Sequence, residues 1–112
     1  MKTVQPAENL EQGIQNLIDA SNRDYKEFCN NESMVNEFVN GWRITNGKKF
    51  IKVCERHSVH CFIVKEDFKH FKKGDVLKAA SWRAPALNQP RGNVLKGNFP
   101  INWTGPLYLR WK

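Results

Sequence analysis

The chain has 112 residues and a formal net charge of +7 at pH 7, and this length suits one domain with a single hydrophobic core over residues 1–112. Aromatic residues make up 12% of the sequence, which argues against a disordered chain. The longest strongly apolar run, Cys61–Val64, is far too short to span a membrane, and residues 1–6 lack the apolar core of a secretory signal. We therefore expect a soluble cytoplasmic protein without a membrane partner.

Charge is distributed unevenly along the chain. Residues 1–40 contain three basic and seven acidic side chains, a net charge of −4. Residues 41–112 contain the remaining fifteen basic and four acidic side chains, a net charge of +11. We divide the chain into an acidic helical part, residues 7–41, and a basic β part, residues 42–112. A basic surface favours an anionic partner such as nucleic acid, or an acidic protein surface.

The N-terminal part is predicted to be helical. Residues 1–6 are predicted to form a loose arm that ends at Pro6, a residue that suits a first helical turn. Apolar residues then recur every three or four positions from Leu10 to Phe28, which predicts an amphipathic helix over about residues 7–29. Asn30–Ser33 breaks this pattern and caps a second helix, which Gly41 terminates. The apolar stripe of the second helix consists of Met34, Val35, Phe38, Val39 and Trp42.

From Trp42 onward the apolar pattern has a period of two, which predicts β-strands. Asn46-Gly47 is typical of a tight turn and joins residues 42–45 to residues 48–55. A second hairpin is predicted to turn near His57-Ser58 and to return through residues 59–65. The predicted register pairs Val53 with Phe62, Ile51 with Val64, and Cys54 with Cys61. It assigns Ile51, Val53, Phe62 and Val64 to the core face, and Phe50, Cys54, Cys61 and Ile63 to the opposite face.

The remaining sequence contains short strands and loops. Phe68 and Phe71 are predicted to anchor the charged connection over residues 66–73. Residues 74–82 begin as a strand, and prolines and glycine then break the pattern to give a loop over residues 81–93. Further short strands are predicted at residues 93–95, 99–103 and 107–111. The sequence therefore predicts an α+β fold, with two N-terminal helices packed on a curved antiparallel sheet or a small SH3-like barrel of about five to seven short strands.

The residues that suggest catalysis or metal binding are poorly placed for either. Cys54, His57, His60 and Cys61 are zinc-binding residue types, but His60 points away from the face that the two cysteines share in the predicted register. Two buried thiols are the favoured interpretation, because three cysteines in a protein without a secretory signal indicate a reducing compartment. Ser58 lies at a hairpin tip without an oxyanion hole. We expect no enzyme activity, no metal and no cofactor.

Two features favour binding of a macromolecular partner. Basic side chains are spread over nearly every strand and loop of the β part with aromatic side chains among them, as in curved sheets that hold single-stranded nucleic acid. The loop over residues 81–93 adds side chains that stack, pair with phosphate or carboxylate, and donate hydrogen bonds. The predicted binding residues are Trp82, Arg83, Asn88, Arg91 and Asn93 of the loop, with Lys52, Lys65 and Lys78 of the neighbouring strands. The alternative is structural, with the aromatic residues in the core, Trp82 as a plug and Asn88 bonded to its own backbone.

One part of the sequence resembles a known group of proteins. The residues are Gly74-Asp-Val-Leu-Lys-Ala-Ala-Ser-Trp-Arg-Ala-Pro85, Asn88, Arg91-Gly-Asn-Val94 and Trp103-Thr-Gly-Pro-Leu-Tyr-Leu109. This pattern resembles small uncharacterised proteins of tailed bacteriophages over about residues 72–109. The resemblance implies a phage protein of the host cytoplasm, and it transfers no activity and no catalytic residue.

Three hypotheses for function follow. The first is a small non-enzymatic phage accessory protein that binds nucleic acid through its basic sheet and the 81–93 loop. The second is a protein-binding module that modulates a host or phage protein through the same loop. The third is a minor structural protein of the virion. The sequence does not choose between DNA and RNA, and it does not give the oligomeric state.

Overall fold

A computed structural model describes residues 2–107 of the chain. The four-stranded sheet has the order β2-β3-β4-β5 and a second sheet pairs β1 with β6, with all pairs antiparallel. This arrangement confirms the predicted α+β class, although neither sheet closes into a barrel within the described residues. The predicted strand at residues 107–111 lies mostly outside them. The elements are β1 (Lys2–Val4), α1 (Leu10–Phe28), α2 (Glu32–Val39), β2 (Trp42–Asn46), β3 (Phe50–Glu55), β4 (Ser58–Val64), β5 (Val76–Leu77) and β6 (Phe99–Ile101).

Both predicted helices are confirmed, and each begins at an asparagine cap. The Asn9 side chain accepts a hydrogen bond of 2.8 Å from the Gln12 backbone N–H. The Asn31 side chain accepts one of 3.0 Å from the Met34 N–H. These bonds satisfy N–H groups that have no partner inside the first helical turn. Neither helix is long and apolar enough to cross a membrane, and these are the helices of the described part of the chain.

The N-terminal segment corrects one prediction, because residues 2–4 form a strand rather than a loose arm. Lys2 pairs with Ile101 and Val4 pairs with Phe99, and the Val4 side chain is fully buried. The Asn98 N–H also donates a 2.7 Å hydrogen bond to the Val4 carbonyl oxygen. The partner strand lies at the other end of the chain, so no local sequence pattern indicates this pairing.

The second hairpin forms where predicted but in a different register. Val53 pairs with Cys61 and Ile51 with Ile63, and the register shifts between Val53 and Cys54. The predicted pairs Val53–Phe62, Ile51–Val64 and Cys54–Cys61 are therefore wrong. A displacement of one residue moves every side chain of a strand to the other face of the sheet. Cys61 and Ile63 consequently join the core beneath the helices.

Both faces of the four-stranded sheet are apolar. On one face Val53, Cys61 and Ile63 pack against Leu17 and Ile18 of α1 in the larger core cluster. The opposite face, which we call the loop face, carries a second cluster. Phe68 and Phe71 anchor the connection after β4 to this second cluster, as predicted. The second cluster consists of Phe62, Val64, Phe71 and Leu77, with Phe50, Val59 and Phe68 packed against it.

The segment after β4 is less regular than predicted. Only Val76 and Leu77 form a strand, and the chain turns where the N–H groups of Ala80 and Ser81 both donate to the Ala84 carbonyl oxygen. Residues 91–94 then run beside β5, with a 2.8 Å hydrogen bond from the Arg91 N–H to the Val76 carbonyl oxygen. The predicted strand at residues 93–95 is reduced to one bridge between Asp75 and Asn93.

Candidate functional site

The 81–93 loop meets the loop face of the sheet at Trp82. Lys52 lies on β3 directly opposite Phe62 of β4, and its Nζ is 3.8 Å from the centroid of the Trp82 ring. A cation over an aromatic face is attracted by the ring quadrupole. Trp82 remains 50% exposed, so it lies on the surface and does not plug the core. The sequence predicted both residues as binding residues, and the structure brings them together.

A cleft of about 180 Å³ lies beside this pair, and we call it the cationic cleft. It is lined by the aromatic rings of Phe50 and Phe62, whose centroids are 6.2 Å apart. None of the described residues that line it carries a carboxylate. Ligand pockets usually have volumes of about 300–1,000 Å³, so this cleft fits one group of a larger ligand rather than a whole small molecule. The other lining residues are Thr45, Gly47, Lys48, Lys49, Lys52 and Arg83.

Lys65 supports the cleft from outside. Its Nζ donates a 3.0 Å hydrogen bond to the Gly47 carbonyl oxygen, and its backbone N–H donates to the Lys49 carbonyl oxygen at 3.0 Å. Both bonds hold the turn between β2 and β3, and that turn carries Lys48 and Lys49. Lys65 is a predicted binding residue, and the structure places it against the turn that carries Lys48 and Lys49.

Two other predicted residues have structural contacts away from the cleft. Lys78 is half-buried, and its Nζ donates to the Pro106 carbonyl oxygen at 3.4 Å. Asn93 is buried. Its amide nitrogen donates to the Lys73 carbonyl oxygen at 2.9 Å and to the Asp75 carboxylate at 3.0 Å. Its amide oxygen accepts from the Leu95 N–H at 2.9 Å. Asn93 therefore stabilises the base of the loop and does not face solvent.

The remaining loop residues, Asn88 and Arg91, do not line the cationic cleft. Asn88 is exposed, and its carbonyl oxygen lies 2.8 Å from His70 Nε2. Arg91 is half-buried beside β5, and its Nε and Nη1 atoms are buried without a hydrogen-bond partner among the described residues. Burial lowers the pKa of this guanidinium. Unpaired buried donors cost free energy, and a bound anion would lower that cost.

The sequence of residues 2–109 matches the model of a family of unknown function, DUF7717. The chain belongs to this family. No curated protein and no solved structure matches the chain. The matched residues include both helices, both sheets and the residues of the cationic cleft.

His60 and Cys61 of the second hairpin of this DUF7717 chain are buried side by side, whereas His57 is exposed. His60 Nε2 lies 3.1 Å from Ser21 Oγ and 3.2 Å from the Asn102 carbonyl oxygen. Its Nδ1 lies 3.4 Å from Cys61 Sγ. Burial raises the pKa of the Cys61 thiol, which keeps it protonated and unreactive. Within residues 2–107, no group of three or more His, Cys, Asp or Glu side chains is placed to hold a metal ion.

The environment of His60 predicts how stability depends on pH. Burial lowers its pKa to about 4. The hydrogen bond with the Asn102 backbone raises the pKa, and the nearby Lys78 charge lowers it. The unfolded chain, with an ordinary histidine pKa, binds the proton more readily, so stability falls as the pH drops below about 6.5. Between pH 7 and pH 5 we expect this group to lower the free energy of unfolding by about 2 kcal/mol. Urea denaturation at both pH values measures this change in the free energy of unfolding.

Two variants make this test specific. In His60→Gln the pH dependence between pH 7 and pH 5 should shrink by about 2 kcal/mol, because glutamine hydrogen-bonds without titrating. His57→Gln removes an exposed imidazole and should leave the dependence as in the wild type. An unchanged pH dependence in His60→Gln would contradict the assignment.

Sequence reasoning did not select several residues of the cationic cleft. The predicted register places Phe62 on the core face, whereas the observed register places it on the loop face. From sequence, Lys48 and Lys49 are part of a general basic surface. The local run Lys48-Lys49-Phe50 beside a tight turn was the available signal, because it places two cations next to an aromatic ring.

Proposed function

We propose that this chain is a small non-enzymatic phage accessory protein that binds single-stranded nucleic acid on the loop face of its sheet. The observation that carries the proposal is the cationic cleft. Among the described residues, four cationic side chains and two aromatic rings line it without a carboxylate, and Trp82 lies against Lys52. Phosphate groups and unpaired bases are the ligands that this combination recognises.

The two kinds of side chain have separate roles. Lys48, Lys49 and Arg83 provide N–H donors and positive charge for phosphate oxygens. Trp82 offers a half-exposed ring on which a base stacks, and such stacking contributes about 1–3 kcal/mol per base. Stacking needs a base whose face is free, so a single strand fits this site better than a duplex.

The acidic helices restrict where the strand lies. Glu32 and Glu37 are exposed on α2, and residues 1–40 have a net charge of −4. Negative side chains repel the phosphate backbone, so the field of the protein directs the strand away from α2 and toward the basic part.

A salt titration tests this proposal. We expect short single-stranded DNA or RNA to bind at low salt, with log K falling linearly against log salt. About three or four phosphate contacts at about −0.7 each give a slope of about −2 to −3. Fluorescence polarisation with a labelled oligonucleotide measures it. A duplex of the same length is the control and should bind more weakly. No binding at low salt, or a slope near zero, would reject the proposal.

A specific observation favours the second candidate, a protein-binding module. Among residues 2–107, β2 is an edge strand of the four-stranded sheet, and Ile44 at its centre is 49% exposed. Beside it lies a groove of about 850 Å³ that includes Leu10, Ile14 and Ile51. An extended segment of another protein adds to such an edge through backbone hydrogen bonds. A partner lost from Ile44→Arg but retained by Trp82→Ala in pull-downs would support this function.

A further inference from the structure

A second cleft adjoins the cationic cleft on the loop face, and we call it the mixed cleft. It has a volume of about 150 Å³ and is lined by Lys48, Lys49, Glu66, Asp67 and Phe68. Because Lys48 and Lys49 line both clefts, a strand held by these two lysines reaches both. From this arrangement we propose that the mixed cleft reads a guanine base through Glu66. This inference rests on the proposed function.

The aromatic rings of the two clefts are contiguous. The Phe50 ring centroid is 6.2 Å from that of Phe62 and 5.6 Å from that of Phe68. Phe68 is half-buried, and Lys49 Nζ lies 5.5 Å from its ring centroid. A strand that contacts Lys49 through a phosphate therefore has an aromatic ring within each of the two clefts that this lysine lines.

The two carboxylates of the mixed cleft differ in their availability. Asp67 accepts a 2.7 Å hydrogen bond from the Lys73 N–H and lies 3.8 Å from Lys72 Nζ, so it holds the local loop. Glu66 is exposed and makes no hydrogen bond or ion pair with any residue that the structure describes. Its carboxylate is free to accept hydrogen bonds from a ligand.

A carboxylate selects among ligands by their donors. It repels phosphate and accepts hydrogen bonds from N–H groups, and its two oxygens can accept two parallel hydrogen bonds. Guanine presents adjacent N1–H and N2–H donors on its Watson–Crick edge. Adenine and cytosine each place a ring acceptor beside their amino group, and thymine and uracil place carbonyl oxygens on both sides of N3–H. Guanine is therefore the base that pairs with Glu66 through two hydrogen bonds, with the edge exposed only in a single strand.

The test compares oligothymidines that contain one central guanine, inosine or adenine. We expect the guanine oligonucleotide to bind about tenfold more tightly than the adenine one, a typical discrimination for a two-bond contact to a base. Inosine lacks the N2 amino group and should lie between them. In Glu66→Gln the preference for guanine should be lost or reversed toward adenine, because the amide accepts from the adenine amino group and donates to its ring nitrogen, whereas it places a donor against a guanine donor.

Glu37→Gln is the matched control, since it removes the same charge from α2, and it should retain the preference for guanine. Equal binding of all three oligonucleotides by the wild type would overturn the inference, and so would a guanine preference that survives Glu66→Gln. Both of these results would be observed with oligonucleotides that do bind the protein. Failure of the proposed function itself would appear instead as no binding of any oligonucleotide at low salt.

Discussion

Alanine substitution of Lys49, Lys52 and Arg83 together is expected to weaken binding of short single-stranded nucleic acid about a hundredfold at low salt. These side chains line the cationic cleft. A hydrogen bond to a charged group contributes about 1.5 kcal/mol or more, and contributions from neighbouring groups are not fully additive. The Lys52 substitution also removes the cation that lies 3.8 Å from the Trp82 ring, so the position of Trp82 becomes less fixed. Polarisation titrations of the variant and wild type measure the loss.

The control variant removes three positive charges at positions outside the two clefts. Arg23, Lys26 and Lys96 are exposed and lie outside the residues that line either cleft. Their combined alanine variant should lose only about severalfold in affinity, because it lowers the net charge without removing a direct contact. Thermal unfolding of both variants confirms that they are folded. Equal losses in the two variants would mean that binding follows overall charge, and the cationic cleft would not be the site.

Gly97→Ala is expected to lower the free energy of unfolding by about 3–5 kcal/mol. Gly97 has φ 63, a left-handed conformation that disfavours a side chain. A Cβ at this position would lie 2.2 Å from the backbone nitrogen of Pro6 and 2.5 Å from its Cα. Because the contacted atoms of Pro6 belong to the backbone, no side chain can rotate away to relieve the clash. The segment after β1 must therefore move. Urea denaturation gives the difference in free energy.

Asn98→Ala separates the cost of the left-handed backbone from the cost of the contact with Pro6. Asn98 also has a left-handed backbone, with φ 58, but it already carries a Cβ. Its replacement should cost only about 1 kcal/mol, since asparagine tolerates this conformation better than alanine. If Gly97→Ala cost no more than Asn98→Ala, the close approach of Gly97 to Pro6 would not contribute to stability.

Both strand corrections have the same physical origin, which is contact between residues that are distant in sequence or related by an irregular turn. β1 has only three residues, too few for a periodic pattern, and its pairing with β6 depends on closure of the whole chain. In β3 and β4 buried residues lie on both faces of the sheet, so alternation does not define which face meets the helices, and register is weakly specified by sequence. The shift between Val53 and Cys54 then determines the pairing.

In the candidate site, too, the sequence predicts some features and only the structure supplies others. The sequence predicts Trp82, Arg83 and Lys52 as binding residues from their chemistry alone, and the structure places these three at or beside the cationic cleft. It could not distinguish them from Asn93 and Lys78, which have the same polar character but whose hydrogen bonds hold the fold. That distinction depends on which backbone carbonyl or carboxylate lies within hydrogen-bond distance.

The sequence by itself determined what local chemistry controls. Asn9 and Asn31 cap the two helices through hydrogen bonds within one turn, Asn46-Gly47 lies where β2 turns toward β3, and the charge division between the two parts is a property of composition. Only the tertiary structure decided the β1–β6 pairing, the register of β4, and the meeting of Lys52 with Trp82. Each of these depends on contacts between segments that are remote in the chain, and their free energy is gained only when the whole fold brings the segments together.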